Sequence, residues 1–160
     1  MLKKIATGAL AIAATTAVAL SLPAAASAST SPDYDDYSEY WGPVYAKHGL
    51  AKAHGQVTVD WDHDGESNEV HVYGKLYDLD NRTYNEGGKC AFVKFEASDF
   101  DHDWSPAYYK KYCGFPGYKK FHFQEHDVYS LRAKVCQIGL HSNYPTKCGP
   151  WQYLYTAESE

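Results

Sequence analysis

The chain has little of what most catalysts or charge-driven binders need. It contains no G-x-S-x-G turn, no H-E-x-x-H helix, no phosphate-cradling or dinucleotide-binding glycine pattern, and no C-x-x-C pair. Those absences remove the signatures of serine hydrolases, zinc proteases, nucleotide enzymes and cysteine-ligated zinc. Positive charge is scarce: 15 Lys and Arg stand against 20 Asp and Glu, a formal net charge of −5 with histidine neutral, and the basic residues form no cluster in sequence. Nucleic acid and anionic membranes are therefore poor partners, because binding either normally rests on a basic patch. Nor is there, after Leu22, an apolar run long enough to span a bilayer. A non-enzymatic domain without metal, cofactor or membrane anchor is the expectation.

What is present begins with an export signal. Lys3 and Lys4 precede an alanine-rich apolar stretch from Ile5 to Leu22, followed by Pro23 and the small-residue site Ala26-Ser27-Ala28. Residues 1–28 thus read as a signal peptide, and the remainder as secreted and extracellular. Losing Lys3 and Lys4 leaves 13 basic against 20 acidic residues, a net charge of −7. All four cysteines, Cys90, Cys113, Cys136 and Cys148, lie in the exported part, where disulfides persist. Four cysteines permit three pairings. Proximity favours Cys90 with Cys113 and Cys136 with Cys148, although spacing alone does not fix connectivity.

Two regions of different character follow. Residues 29–45, STSPDYDDYSEYWGPVY, interleave acids with tyrosines, hold few aliphatics and sustain no period. They read as a flexible acidic and aromatic arm, with a solvated leader or a strand packed on its own domain as the alternatives. As an arm, its partner-binding residues are Asp33, Tyr34, Asp35, Asp36, Tyr37, Tyr40, Trp41, Val44 and Tyr45. Residues 46–160 read as mostly β. Val57, Val59 and Trp61 alternate with polar residues, a DHDG turn follows, and the alternation resumes from Val70 to Leu79, predicting a hairpin. Further strands are expected over Lys89 to Ala97, Lys119 to Asp127, Tyr129 to Leu140 and Pro150 to Ala157. A short helix is expected over Ser105 to Tyr112, with Ser105 as its cap and Pro106 in its first turn. The sum favours an immunoglobulin-like antiparallel β-sandwich over a closed barrel.

Three local patterns invite a functional reading. Asp60-Trp61-Asp62-His63-Asp64-Gly65 opens like a calcium loop, but the twelfth position holds His71 where a bidentate Glu is needed, so an acidic turn between strands is expected. Asp99-Phe100-Asp101-His102-Asp103-Trp104 repeats the order and reads as a second solvated loop. His122 and His126 share one face of a strand, which ordinary cross-strand packing explains. The 15 Tyr and four Trp, among them Trp151, Tyr153 and Tyr155 alternating near the C-terminus, suit either sheet packing or the stacking of sugar rings.

The segments HVYGKLYDLDNRT, GGKCAFVKFEA, KVCQ and GPWQYLY, together with the short signal, resemble small secreted proteins of actinomycetes. Within that group the layout is similar to the small adaptor subunit of umbrella toxin particles. The resemblance implies a non-catalytic bridge in an antibacterial complex: the folded domain holds a lectin-like subunit, and the N-terminal arm inserts into the repeat region of a toxin chain. A secreted carbohydrate-binding sandwich is the alternative.

Overall fold

The structure, a computed structural model, describes residues 37–157. The expected signal over 1–28 and residues 29–36 of the expected arm lie outside them.

Alternation writes the first sheet. In β2 (Ala51–Trp61) the inward positions include Ala51, Ala53, Val57 and Val59, and in β3 (Asn68–Asp78) they include Val70, Val72 and Leu76, all fully buried. These strands form the expected hairpin, paired without a register break from Ala51–Asp78 to Trp61–Asn68. On one side β2 pairs with β1 (Tyr37–Tyr45), and on the other β3 pairs with β6 (Gly117–His126). The second sheet is built on β4 (Cys90–Ser98) and β7 (Ser130–Ile138), flanked by β5 (Trp104–Tyr112) on one edge. The short β8 (Pro145–Thr146) and β9 (Gln152–Thr156) share the other edge, at opposite ends of β7.

All pairings are antiparallel, and the chain crosses between sheets at β3–β4, β5–β6 and β6–β7. Strands β3 and β6 are neighbours in one sheet while β4 and β7 are neighbours in the other. That interlocked pair of crossings gives an immunoglobulin-like sandwich. The disulfides join Cys90 to Cys113, closing the open end of the β4–β5 hairpin, and Cys136 to Cys148, tying β7 to the β8–β9 connection. Asn68 fastens one crossing: its side chain donates to the Val128 carbonyl at 2.9 Å and accepts from the Val128 amide at 2.8 Å, as a backbone partner would.

Two segments differ from their local reading. Residues 37–45 are not a mobile arm but strand β1, the alternative in which the segment packs on its own domain. Trp41, 6% exposed, anchors it in the core edge-on against Phe95 at 5.7 Å, and Val44 is buried beside Ala53's register position. Ser105 to Tyr112 is not a helix but part of β5. Tyr108 stacks on Phe123 at 4.6 Å, and Lys111 Nζ donates to the Gly139 carbonyl at 2.8 Å, contacts that an extended backbone supplies and a helix does not. Pro106 fits because β5 is an edge strand with a register shift beside it, where a missing N–H breaks no ladder.

The core centres on Phe95, whose ring lies 5.6 Å from Phe121 and 4.9 Å from Phe123. Room for these rings comes from a row of register partners across the first sheet, Trp41, Gly55, Gly74 and Phe121. A Cβ on Gly74 would overlap the Phe121 ring, and one on Gly55 the Tyr73 carbonyl. Gly74→Ala is therefore expected to lower stability by about 2 kcal/mol through overpacking, read as a shifted urea midpoint. A second change, Phe121→Leu, should recover part of the loss; no recovery would show that the glycine serves the backbone rather than the ring.

Candidate functional site

Of the residues expected to bind partners, Asp33, Tyr34, Asp35 and Asp36 lie outside the described residues. The remaining five alternate along β1. Tyr40 is 82% exposed and Tyr45, further along the strand, is exposed too, whereas Trp41 and Val44 are buried and hold the strand instead of offering contacts. Tyr37 is half-buried, its ring 5.4 Å from that of Tyr155 and its hydroxyl donating to the Glu39 carboxylate. Burial, reinforced by that hydrogen bond and charge, pushes the Tyr37 hydroxyl up to about 12.

The outer face of the second sheet carries a ladder of aromatic rings and cations. The Arg132 guanidinium lies between two indoles, 3.8 Å from the Trp104 ring centre and 4.5 Å from that of Trp151. Lys94 and Lys134 also reach the Trp151 ring, at 4.7 and 4.4 Å. Glu96 pins the ladder, accepting from Arg132 at 2.7 Å and from Lys94 at 3.2 Å; against its own burial, these partners hold the carboxyl below its usual range. Tyr153, 56% exposed, meets Trp104 edge-on at 5.9 Å. Trp151, Tyr153 and Tyr155 thus do not form one stacking face. A register shift between Leu131 and Arg132 sends Tyr155 into the core while Tyr153 stays outside.

The outer face of the first sheet is organised in rows across its strands. Tyr40, Gln56, Tyr73 and His122 form one row, and His54, Lys75 and Lys120 the next. Tyr73 stacks on His122 at 4.3 Å, and His122 lies parallel to His71 at 5.9 Å. His122 and His126 do share a face, with His126 at 4.0 Å from Glu69. The two Asp-His loops meet at one end of the sandwich, where the Trp61 and Phe100 rings are 6.1 Å apart. One carboxylate in each closes its own turn. Asp62 accepts from the Glu66 amide and the Ser67 hydroxyl, both at 2.9 Å, and Asp99 from the Asp101 and Asp103 amides, both at 3.0 Å.

A cavity of about 410 Å³ opens where the β3–β4 connection meets the Cys90–Cys113 disulfide. Two buried acids behind it have opposite electrostatics. Asp80 accepts from Arg82 at 2.7 Å, the Lys89 amide at 3.0 Å and the buried Gln137 amide at 3.0 Å, and the Arg82 guanidinium holds it well below the usual carboxylate range. Asp78, accepting from the Gly114 amide at 3.0 Å, is pushed up by burial. These acids join β3, β7 and the loop after β5, so their first role is to hold the connections.

Because its folded-state pKa is depressed, Asp80 contributes stability above its unfolded pKa, and that contribution is lost as pH falls through the folded value. Asp80→Asn is expected to cost about 2 kcal/mol near neutrality, with the gap to the parent protein closing on acidification below about pH 4. Guanidinium unfolding at several pH values reads both; a gap independent of pH would mean that the loss is steric. Compared with known protein families, curated proteins and solved structures, the chain matches none.

Proposed function

We propose that this protein is a secreted, non-catalytic adaptor that bridges two protein subunits of an antibacterial toxin complex, a lectin-like subunit and a repeat-containing toxin chain. The observation that carries the reading is the division of exposed aromatics between opposite outer faces of one rigid sandwich. Tyr40, Tyr45, Tyr73 and Tyr118 lie on the first sheet, and Trp104, Tyr109 and Tyr153 on the second. A bridge needs two separate surfaces held at fixed spacing, which a disulfide-stapled sandwich supplies.

The second-sheet ladder has the chemistry of an interface hot spot. Trp, Tyr and Arg dominate such centres because they bury large area with few rotatable bonds, and here Arg132 is already fixed between its indoles. That face is assigned to the lectin-like subunit. The toxin chain is assigned to the acidic and aromatic residues 33–36 and to Tyr40, with β1 fixing where the segment begins. Export and two disulfides suit assembly outside the cell.

The test is gentle affinity capture of the tagged, processed protein from its native culture medium, read by mass spectrometry. The parent protein should return both partners. Removing residues 29–36, which leaves β1 intact, should lose the toxin chain alone, and Trp104→Ala should weaken the lectin-like partner by at least about thirtyfold. Recovery of the parent protein with neither partner overturns the adaptor reading.

A further inference from the structure

The outer face of the first sheet holds a groove that shares Tyr40 with the toxin-chain assignment and otherwise lies outside it. It has a volume of about 290 Å³ and runs across the strands between two rows of side chains, with Gly55 and Gly74 between them. One wall is aromatic and amide: Tyr40, Gln56 and Tyr73 are successive register partners. The other wall is basic: His54, Lys75 and Lys120 are successive register partners in the same sense. The groove exists because the row between them, which holds Gly55 and Gly74, points inward and raises no side chain on the outer face.

The basic wall is electrostatically unfinished. Lys75 and Lys120 face each other directly across β3 and β6, an arrangement that destabilises a sheet when the charges are alike. Among the described residues neither lysine makes an ion pair with a carboxylate, in a chain with a surplus of acids. Burial, together with the charges of Lys52 and Lys75, holds the His54 imidazole below its ordinary pKa. An anion lying between the walls relieves the repulsion.

We propose that this groove binds an acidic polysaccharide, with pyranose rings against Tyr40 and Tyr73 and the acid groups against Lys75 and Lys120. The shape favours a glycan over an acidic peptide. The floor of the groove, at Gly55 and Gly74, lies on the interior strands β2 and β3, whose backbone groups are already paired, so an extended peptide seated there adds no strand to the sheet. Recognition must come from side chains alone. Tyrosine faces suit the C–H faces of sugar rings, and Tyr40 and Tyr73, two strands apart, stand about 10 Å from each other across the sheet, far enough to meet successive rings. Gln56, between them, supplies an amide for hydroxyl groups, already oriented by its 2.9 Å hydrogen bond to Ser38.

The full secreted chain is tested by titration calorimetry against polygalacturonate, hyaluronan and chondroitin sulfate, with dextran as a neutral polysaccharide and poly-L-glutamate as an acidic peptide. Binding to at least one acidic polysaccharide, weakened by salt and absent with dextran, is expected. Tyr73→Ala, and separately the pair Lys75→Gln and Lys120→Gln, should each weaken it by at least about tenfold. Lys147→Gln, which removes one lysine charge from an exposed loop position, should leave it unchanged. Circular dichroism confirms that the variants fold, as expected for solvent-facing changes. Failure to bind any acidic polysaccharide overturns the proposal, as does equal or tighter binding of poly-L-glutamate, or indifference to both the tyrosine and the lysine changes. Sheet-face variants that lose the polysaccharide yet still capture protein partners separate this site from the bridge.

Discussion

The row Trp41, Gly55, Gly74, Phe121 governs both sides of the first sheet. On the inside, the missing side chains admit Trp41 and Phe121, whose rings reach Phe95 on the opposing sheet and close the core. The edge strand β1 depends on the same vacancy. Most of its residues are polar, aromatic or exposed, and without a seat for Trp41 and Val44 it has too little apolar area to offset the entropy of ordering. On the outside, the same positions leave a furrow between an aromatic row and a basic row. Enlarging Gly74 would press on the Phe121 ring inside, and enlarging Gly55 would press on the Tyr73 carbonyl and so on the pairing that aligns the outer rows.

The two sheets spend their aromatic residues differently. In the second sheet the indoles of Trp104 and Trp151 are paired with Arg132, Lys94 and Lys134, and Glu96 pairs with the first two of these cations. That face is preorganised, with Glu96 pairing two of its three cations and the indoles covering all three, which suits a protein partner that must replace little. In the first sheet, the lysines nearest the groove lack a carboxylate partner among the described residues. A face left with unbalanced charge suits a ligand that brings the opposite sign. The proposed bridge and the proposed glycan groove meet at Tyr40 but rest on different features, and changes at Tyr73, Lys75 and Lys120 probe the groove apart from the bridge.

Strand existence was legible where burial is one-sided. The Val57 to Trp61 and Val70 to Leu79 alternations, the Cys90 and Tyr129 regions and both disulfide pairings follow from period and proximity, and the structure carries them with boundaries moved by a few residues. Local reasoning failed at Ser105–Tyr112, where a capping residue and a proline imitate a helix start while Tyr108's partner, Phe123, lies in another sheet. It also failed at Tyr37–Tyr45, whose anchor Trp41 is intelligible only opposite a glycine in the next strand. The groove gave no signal at all: His54, Lys75 and Lys120 are dispersed in sequence, and the absence of a basic run concealed a basic row.

By itself, the sequence determined the fold class and favoured, without fixing, the disulfide frame that the structure shows, because alternation and cysteine spacing are local properties that one-sided burial and short loops translate into structure. Register decided the rest. Which tyrosines stay outside, which tryptophan anchors the edge strand, and which cations line up across the sheet depend on strand pairing between residues far apart in the chain. A single bulge near Arg132 places Tyr155 inside and Tyr153 outside. Such choices are absent from any one segment, since a side chain's face is set by its partner strand and its surroundings by the opposing sheet.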